Sequence, residues 1–528
     1  MALSQTGAPQ VNQDPAEAPL LTQVMRSFRG VNTRAQRSAI PDDTFYDLQN
    51  LIPIGDANLH CVNGLSASLH DFSTDTIYAM QYGMVASVPY LFCYSTQGNI
   101  IAWNLNASTA TKINGANTLS AGGCKSVPWY NTYQLFIDST GYYSWDGVTF
   151  SQLALAQGPA SGTDISVYAG RVWVCSGRLT LYSGPYDGTG TMDPTANTAW
   201  QVAVGAGFLT LTDPTLVGNI NRLWQQNGFL YFFGPTCVYA LSDIYVPAGA
   251  SPPTPVFVLT PVQSIIGTDQ AFSVFPFNRA LMFASKFGVW AIEGVNATKI
   301  SEDLDGTWQY LDFTQSISGG QCIVSNILNA CFLVKRANDP ILGSNTVIAM
   351  FFSGRWWFAN VGAATFIAAA VVNNTPALYC LIGNHLYQAF ASTTNPPDTQ
   401  IMTPLWGGDD ALSDKQVIRA GFEIVVSSPT SGASVTATLD TYNGSSPLPL
   451  QTNPTFVKWI NNSGAVVTWQ NNTPATVNWF VNLYQIYNAL APAMFAKHVG
   501  MTVKTSGFSY ELDSFYMDMK RRTRWTHQ

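Results

Sequence analysis

Few residues in this 528-residue chain stand where acid–base, nucleophilic or metal chemistry would need them. The five histidines, His60, His70, His385, His498 and His527, form neither HExxH nor another metal-ligand spacing. A G-x-S-x-G elbow and a phosphate-cradling P-loop are both missing from the sequence. Glycoside hydrolysis would need two carboxyl groups facing one bond. Asp303 with Asp305, Glu293, or the pair Asp409-Asp410 could supply them. Each lies in a turn-rich stretch where a solvated loop accounts for it, and His385 falls in a hairpin as a structural histidine. The eight cysteines (Cys61, Cys93, Cys124, Cys175, Cys237, Cys322, Cys331, Cys380) contain no CxxC pair. Most sit inside apolar runs and read as buried free thiols, the state of a reducing compartment. No catalytic, cofactor-binding or metal-binding residue is assigned, and no enzyme is expected.

What remains is charge. Lys520, Arg521, Arg522 and Arg524 form a basic cluster near the end of the chain, and Arg26, Arg29 and Arg34 recur near its start. The rest is acidic enough to bring the net charge to −7. A conventional nucleic-acid binder would carry a basic stripe to neutralise phosphates, so these cations read instead as contacts to protein carboxylates. Charged residues make up only 10% of the chain and apolar ones 47%. A large chain with so few charges is expected to have much of its surface covered by other subunits.

The elements that must position these groups are strands. Residues 221–240 read NRLWQQNGFLYFFGPTCVYA, three apolar runs parted by Asn227-Gly228 and Gly234-Pro235. Asn-Gly tolerates the positive φ of a tight primed turn, so this is a meander of short strands. The pattern recurs along the chain, with third-strand anchors Trp103, Trp145, Tyr182, Tyr239, Trp290, Met350 and Tyr387. Their spacing of roughly 37 to 60 residues suits four-stranded propeller blades. The repeat is degenerate, without WD or kelch signatures, and gives about seven blades, or six; an irregular all-β chain is the plainer alternative.

The chain divides into an extended N-terminal arm (1–25), a lead-in (26–75), the β-propeller (76–408) and a C-terminal module (409–528). The arm is rich in Ala, Gln, Pro and Thr and is expected to lie on a neighbour. In the lead-in, Ile40-Pro41-Asp42-Asp43 predicts a short helix start, followed by closing strands. Residues 243–260, with Pro247, Pro252, Pro253 and Pro255, read as one stiff loop. After residue 415 strand alternation continues without blade spacing, as in an antiparallel sandwich or jelly-roll-like module, while 479–490 fits helix or strand. The polar N-terminus lacks a signal peptide's apolar core, and the weakly polar run 361–372 is too short to span a bilayer.

The stretch Phe28-Arg29-Gly30-Val31-Asn32-Thr33-Arg34, then Ile40-Pro41-Asp42 and Asp47-Leu48-Gln49-Asn50, followed by a blade repeat, resembles the tail nozzle proteins of short-tailed bacteriophages. The resemblance covers roughly residues 25–60 by motif, and the blades by architecture alone. It implies a structural virion protein, assembled in the host cytoplasm into a ring, most simply a hexamer. Such a ring joins a tail adaptor, carries fibre or spike proteins, and passes genome DNA without gripping it. No cofactor and no membrane insertion by this chain are implied. A second resemblance is narrower. Ser301-Glu302-Asp303-Leu304-Asp305-Gly306-Thr307-Trp308 is similar to the Asp-box turn of sialidase-type propellers, with Asp305 in the glycine's place. An Asp box is a fold-stabilising turn and not a catalytic site; the rival expectation is a propeller that binds or cleaves host surface glycans.

Overall fold

The computed structural model describes residues 20–53, 58–188, 192–263, 266–393, 396–408, 413–426, 434–452, 469–470, 476–477, 483–490 and 495–521. The arm 1–19, Asp409-Asp410, Arg522, Arg524 and His527 lie outside the described residues.

Asn227 and Gly228 take φ of 50° and 81°, so the hairpin joining Arg222–Gln226 to Phe229–Phe233 turns as its sequence demands. Repetition of such hairpins builds seven four-stranded antiparallel units, at 77–112, 125–152, 164–210, 222–263, 275–299, 318–359 and 364–388. The anchors from Trp103 to Tyr387 fall one on each third strand, in order. The last blade has only three strands of its own. His70–Asp71, from far upstream, pairs with His385–Gln388 as its fourth strand and closes the ring. Blades meet through aromatic side chains on their second strands: Phe92 against Phe136 at 5.3 Å, Trp173 against Phe232 at 6.4 Å, Phe233 against Phe283 at 5.2 Å. Each pair adds about 0.5–1.5 kcal/mol beyond the area it buries.

The C-terminal module is an antiparallel sandwich, fused to the propeller and completed by N-terminal strands. One sheet holds Lys415–Val426 and Tyr510–Arg521 at its centre, with Leu20–Met25, Leu51–Pro53 and Leu59–Cys61 from the start of the chain. The other runs unbroken into blade 6, because Asp47–Gln49 bridges Arg355–Ala359 of that blade to Thr399–Met402. Phe422, Phe515, Leu439 and Met501 of the sandwich share one buried cluster with Phe332 and Trp357 of blade 6. So most of the lead-in builds the sandwich, and only its last strand closes the propeller.

Two expectations are corrected. The helix at Ile40-Pro41-Asp42-Asp43 is a turn, with the Thr44 amide donating to the Pro41 carbonyl at 3.1 Å. The next amides are claimed by the sheet, Tyr46 N–H donating to the Met402 carbonyl at 2.9 Å, which leaves too few residues for a helical nucleus. The proline-rich excursion is shorter than expected, since Val238–Tyr245 and Val256–Gln263 run as paired strands on either side of it. Residues 483–490, open between helix and strand, are strand.

Candidate functional site

The first strands of the seven blades surround a central cavity of ≈ 560 Å³. Its wall combines Tyr82, Trp224 and Phe275 with Gln81, Gln225, Gln226 and Gln321. No Asp or Glu lines it among the described residues. Gly320 is required here: a Cβ would stand 2.5 Å from that of Ala369, so the bare backbone lets blades 6 and 7 approach.

Three charges gather beside this bore. Lys125, Asp164 and Arg222 each occupy the first position of the first strand in blades 2, 3 and 4. All three are buried. Arg222 Nη1 donates to Asp164 Oδ1 at 3.1 Å, and the Leu223 amide donates to Oδ2 at 2.5 Å. Burial pulls the Lys125 ammonium down to about 8, against the attraction of Asp164. Burial likewise raises the Asp164 carboxyl, opposed by Arg222 and Lys125. The Arg222 guanidinium lies 4.9 Å from the Trp224 ring centroid, and its buried Nε has no hydrogen-bond partner.

Phe272 lies across the axis. It precedes the first strand of blade 5, yet its ring stands 5.2 Å from Phe366 of blade 7 and 4.1 Å from Lys125 Nζ of blade 2. A side chain leading into blade 5 that touches blades 7 and 2, none of the three adjacent to another, must sit at the centre of the ring. The bore is therefore obstructed within a single chain. Nearby, the Tyr94 hydroxyl and Gln134 Nε2 both donate to Ser126 Oγ at 2.7 Å, tying blade 1 to blade 2.

The sequence-selected cations go elsewhere. Arg26 is exposed; Arg29 pairs with Asp43 at 2.7 Å and Arg34 with Glu302 at 3.3 Å, both on the surface. Lys520 and Arg521 are half-buried and end the central strand of a sandwich sheet, their backbones paired with Gln416 and Lys415. Upstream of the N-terminal cations, Leu20 pairs its backbone with Lys520. The Asp-box-like turn is a docking point for the lead-in. The Thr33 amide donates to the Asp303 carbonyl at 2.6 Å, the Thr307 amide to Thr33 Oγ1 at 3.0 Å, and Lys299 pairs with Asp305 at 2.7 Å. A Cβ on Gly306 would collide with the Thr33 carbonyl. No group of three or more His, Cys, Asp or Glu residues able to hold a metal occurs among the described residues.

The seam between propeller and sandwich holds the other buried charges. Arg336 of blade 6 donates through Nη1 and Nη2 to Asp47 Oδ1 at 3.3 Å, while Gln49 and Gln400 donate to Oδ2 at 2.7 and 2.9 Å. Arg37 donates to Asp440 at 2.9 Å and to the carbonyls of Thr403 and Met501 at 2.6 and 3.1 Å. Lys125, Asp164, Arg222 and Arg336 carry no motif in the sequence, and Asp47 stands there only within the Asp47-Leu48-Gln49-Asn50 stretch. A usable signal existed for the first three, a charged residue opening the first strand of three consecutive repeats.

No protein-family model matches this chain, and no curated protein does. Among solved structures, one described as the structure of U3-55K is similar at 8% identity with a TM-score of 0.36, covering 62% of this chain and 99% of that one. A likeness that loose does not bear on function.

Proposed function

We propose that this chain is a structural subunit of a ring-shaped nozzle at the end of a short phage tail. The observation that carries this reading is where the stretch Phe28–Asn50 falls. Its residues lock the seam: Val31 bridges Phe45, Thr33 docks on the Asp-box-like turn, Arg37 holds Asp440, and Asp47 holds Arg336. A signature spent on joining two β modules into one body suits a rigid building block more than a catalyst. The scarcity of charge over the chain supports contact with further subunits, among them an adaptor and fibre or spike proteins.

On this reading DNA travels between protomers. The bore of one propeller has the volume of a small-molecule site and is crossed by Phe272. The lumen would then be formed by several copies, and closed rings arise when heterologous contacts repeat with a rotation that closes. Electron microscopy of the purified particle tests this. A closed ring, most simply sixfold, with an open central lumen is expected. A chain that is monomeric within the assembled tail overturns the proposal.

A further inference from the structure

We infer that the propeller bore binds a carboxylate-bearing sugar, with Arg222 as the anion-recognising group and Trp224 as the stacking face. The inference goes beyond the nozzle reading and does not depend on it. Charge comes first. Lys125 and Arg222 are both buried; Arg222 pairs with Asp164, which also attracts Lys125, and this one carboxylate leaves one positive charge in excess beside a cavity with no acidic lining among the described residues. The neighbouring thiols do not balance it, because burial holds Cys124 and Cys175 in the neutral form. A buried cation calls for an anionic partner.

Geometry comes second. Arg222 spends Nη1 on Asp164 but leaves Nε without a partner, and the residue lines the cavity. A guanidinium held from one side is placed to take a carboxylate from the other. The remaining wall specifies the rest of the ligand. Gln81, Gln225, Gln226 and Gln321 offer amides that both donate and accept, as sugar hydroxyls require. Trp224 and Phe275 offer flat apolar faces for the C–H face of a pyranose ring. Inorganic phosphate would satisfy the cation and leave the amides and aromatics unused. With no Asp or Glu in its described lining, the cavity is assigned binding and no carboxylate-pair cleavage.

The test is calorimetric titration of the full-length chain with glucuronate, glucose and inorganic phosphate. Glucuronate should bind, and glucose and phosphate should each bind at least about tenfold more weakly, because a site built around a polar group rejects analogues that lack it. Arg222→Met should abolish glucuronate binding. That variant also strips Asp164 of its partner, so Val167→Trp, which fills the bore from a half-buried lining position, is the second variant and should abolish binding as well. Circular dichroism verifies that both remain folded. Equal affinity for glucose or for phosphate, no binding of glucuronate, or binding that survives in folded Val167→Trp each overturns the inference.

Discussion

At the residue scale, Lys125 shows how burial turns a charge into a pH-dependent cost. Desolvation lowers its folded value to about 8 from the ordinary 10.5, so the folded chain holds this proton less tightly than the unfolded chain. The sign follows from linkage. Below about 8 both states are protonated and the whole penalty of burying the ammonium is present; it fades as pH rises and is gone above the ordinary lysine value. Lys125→Met should therefore raise the denaturation midpoint at pH 7, with the gain shrinking by pH 10. Urea melts of both chains across that range would decide it, and a midpoint lowered by Lys125→Met at pH 7 would show that Lys125 is net stabilising. The cysteines were easier to read. All eight are free in the structure and seven are buried, Cys322 and Cys331 lying 3.4 Å apart through their sulfurs, as expected of thiols used as small apolar groups.

At the element scale, short-range signals were legible and long-range pairings were not. Asn227-Gly228, Asn373-Asn374 and Ala169-Gly170 carry their turn chemistry in adjacent residues, and each has positive φ in the structure. Seven such meanders could be counted from the sequence because each is contiguous. The pairing of Asp47–Gln49 with strands more than 300 residues downstream has no local signature, and the Ile40-Pro41-Asp42-Asp43 stretch just before it suggests a helix start when read alone. That strand is held by the Asp47–Arg336 pair, in which neither side chain has any solvent exposure. Asp47→Asn leaves a buried guanidinium uncompensated and should cost about 3 kcal/mol. Glu302→Gln, which breaks the exposed pair with Arg34, should cost less than about 1 kcal/mol. Chemical denaturation of the two variants measures the contrast, and equal effects would remove Asp47 as the clamp of the seam.

At the scale of the whole molecule, on the proposed nozzle reading, two routes through the particle must be kept apart. The bore of one propeller and the lumen of a ring are both central holes, but they differ in what can pass. The bore is lined by seven inner strands and crossed by Phe272, which is held between Phe366 and Lys125. Moving a duplex through it would require prising apart blades that share aromatic contacts and a ring closed by the His70–Asp71 strand. A lumen between copies needs no such opening. Its wall need only avoid gripping phosphates, which a chain with net charge −7 is suited to do. If the nozzle proposal holds, filling the bore should leave genome delivery untouched. Particles assembled with Val167→Trp chains are expected to form rings of normal symmetry and to release DNA at the unmodified rate, measured by dye uptake on triggered ejection. The same substitution should remove the proposed sugar-acid site, so one variant separates the two proposals. A large drop in ejection from intact rings carrying Val167→Trp would place the DNA path inside the propeller and refute the between-protomer route.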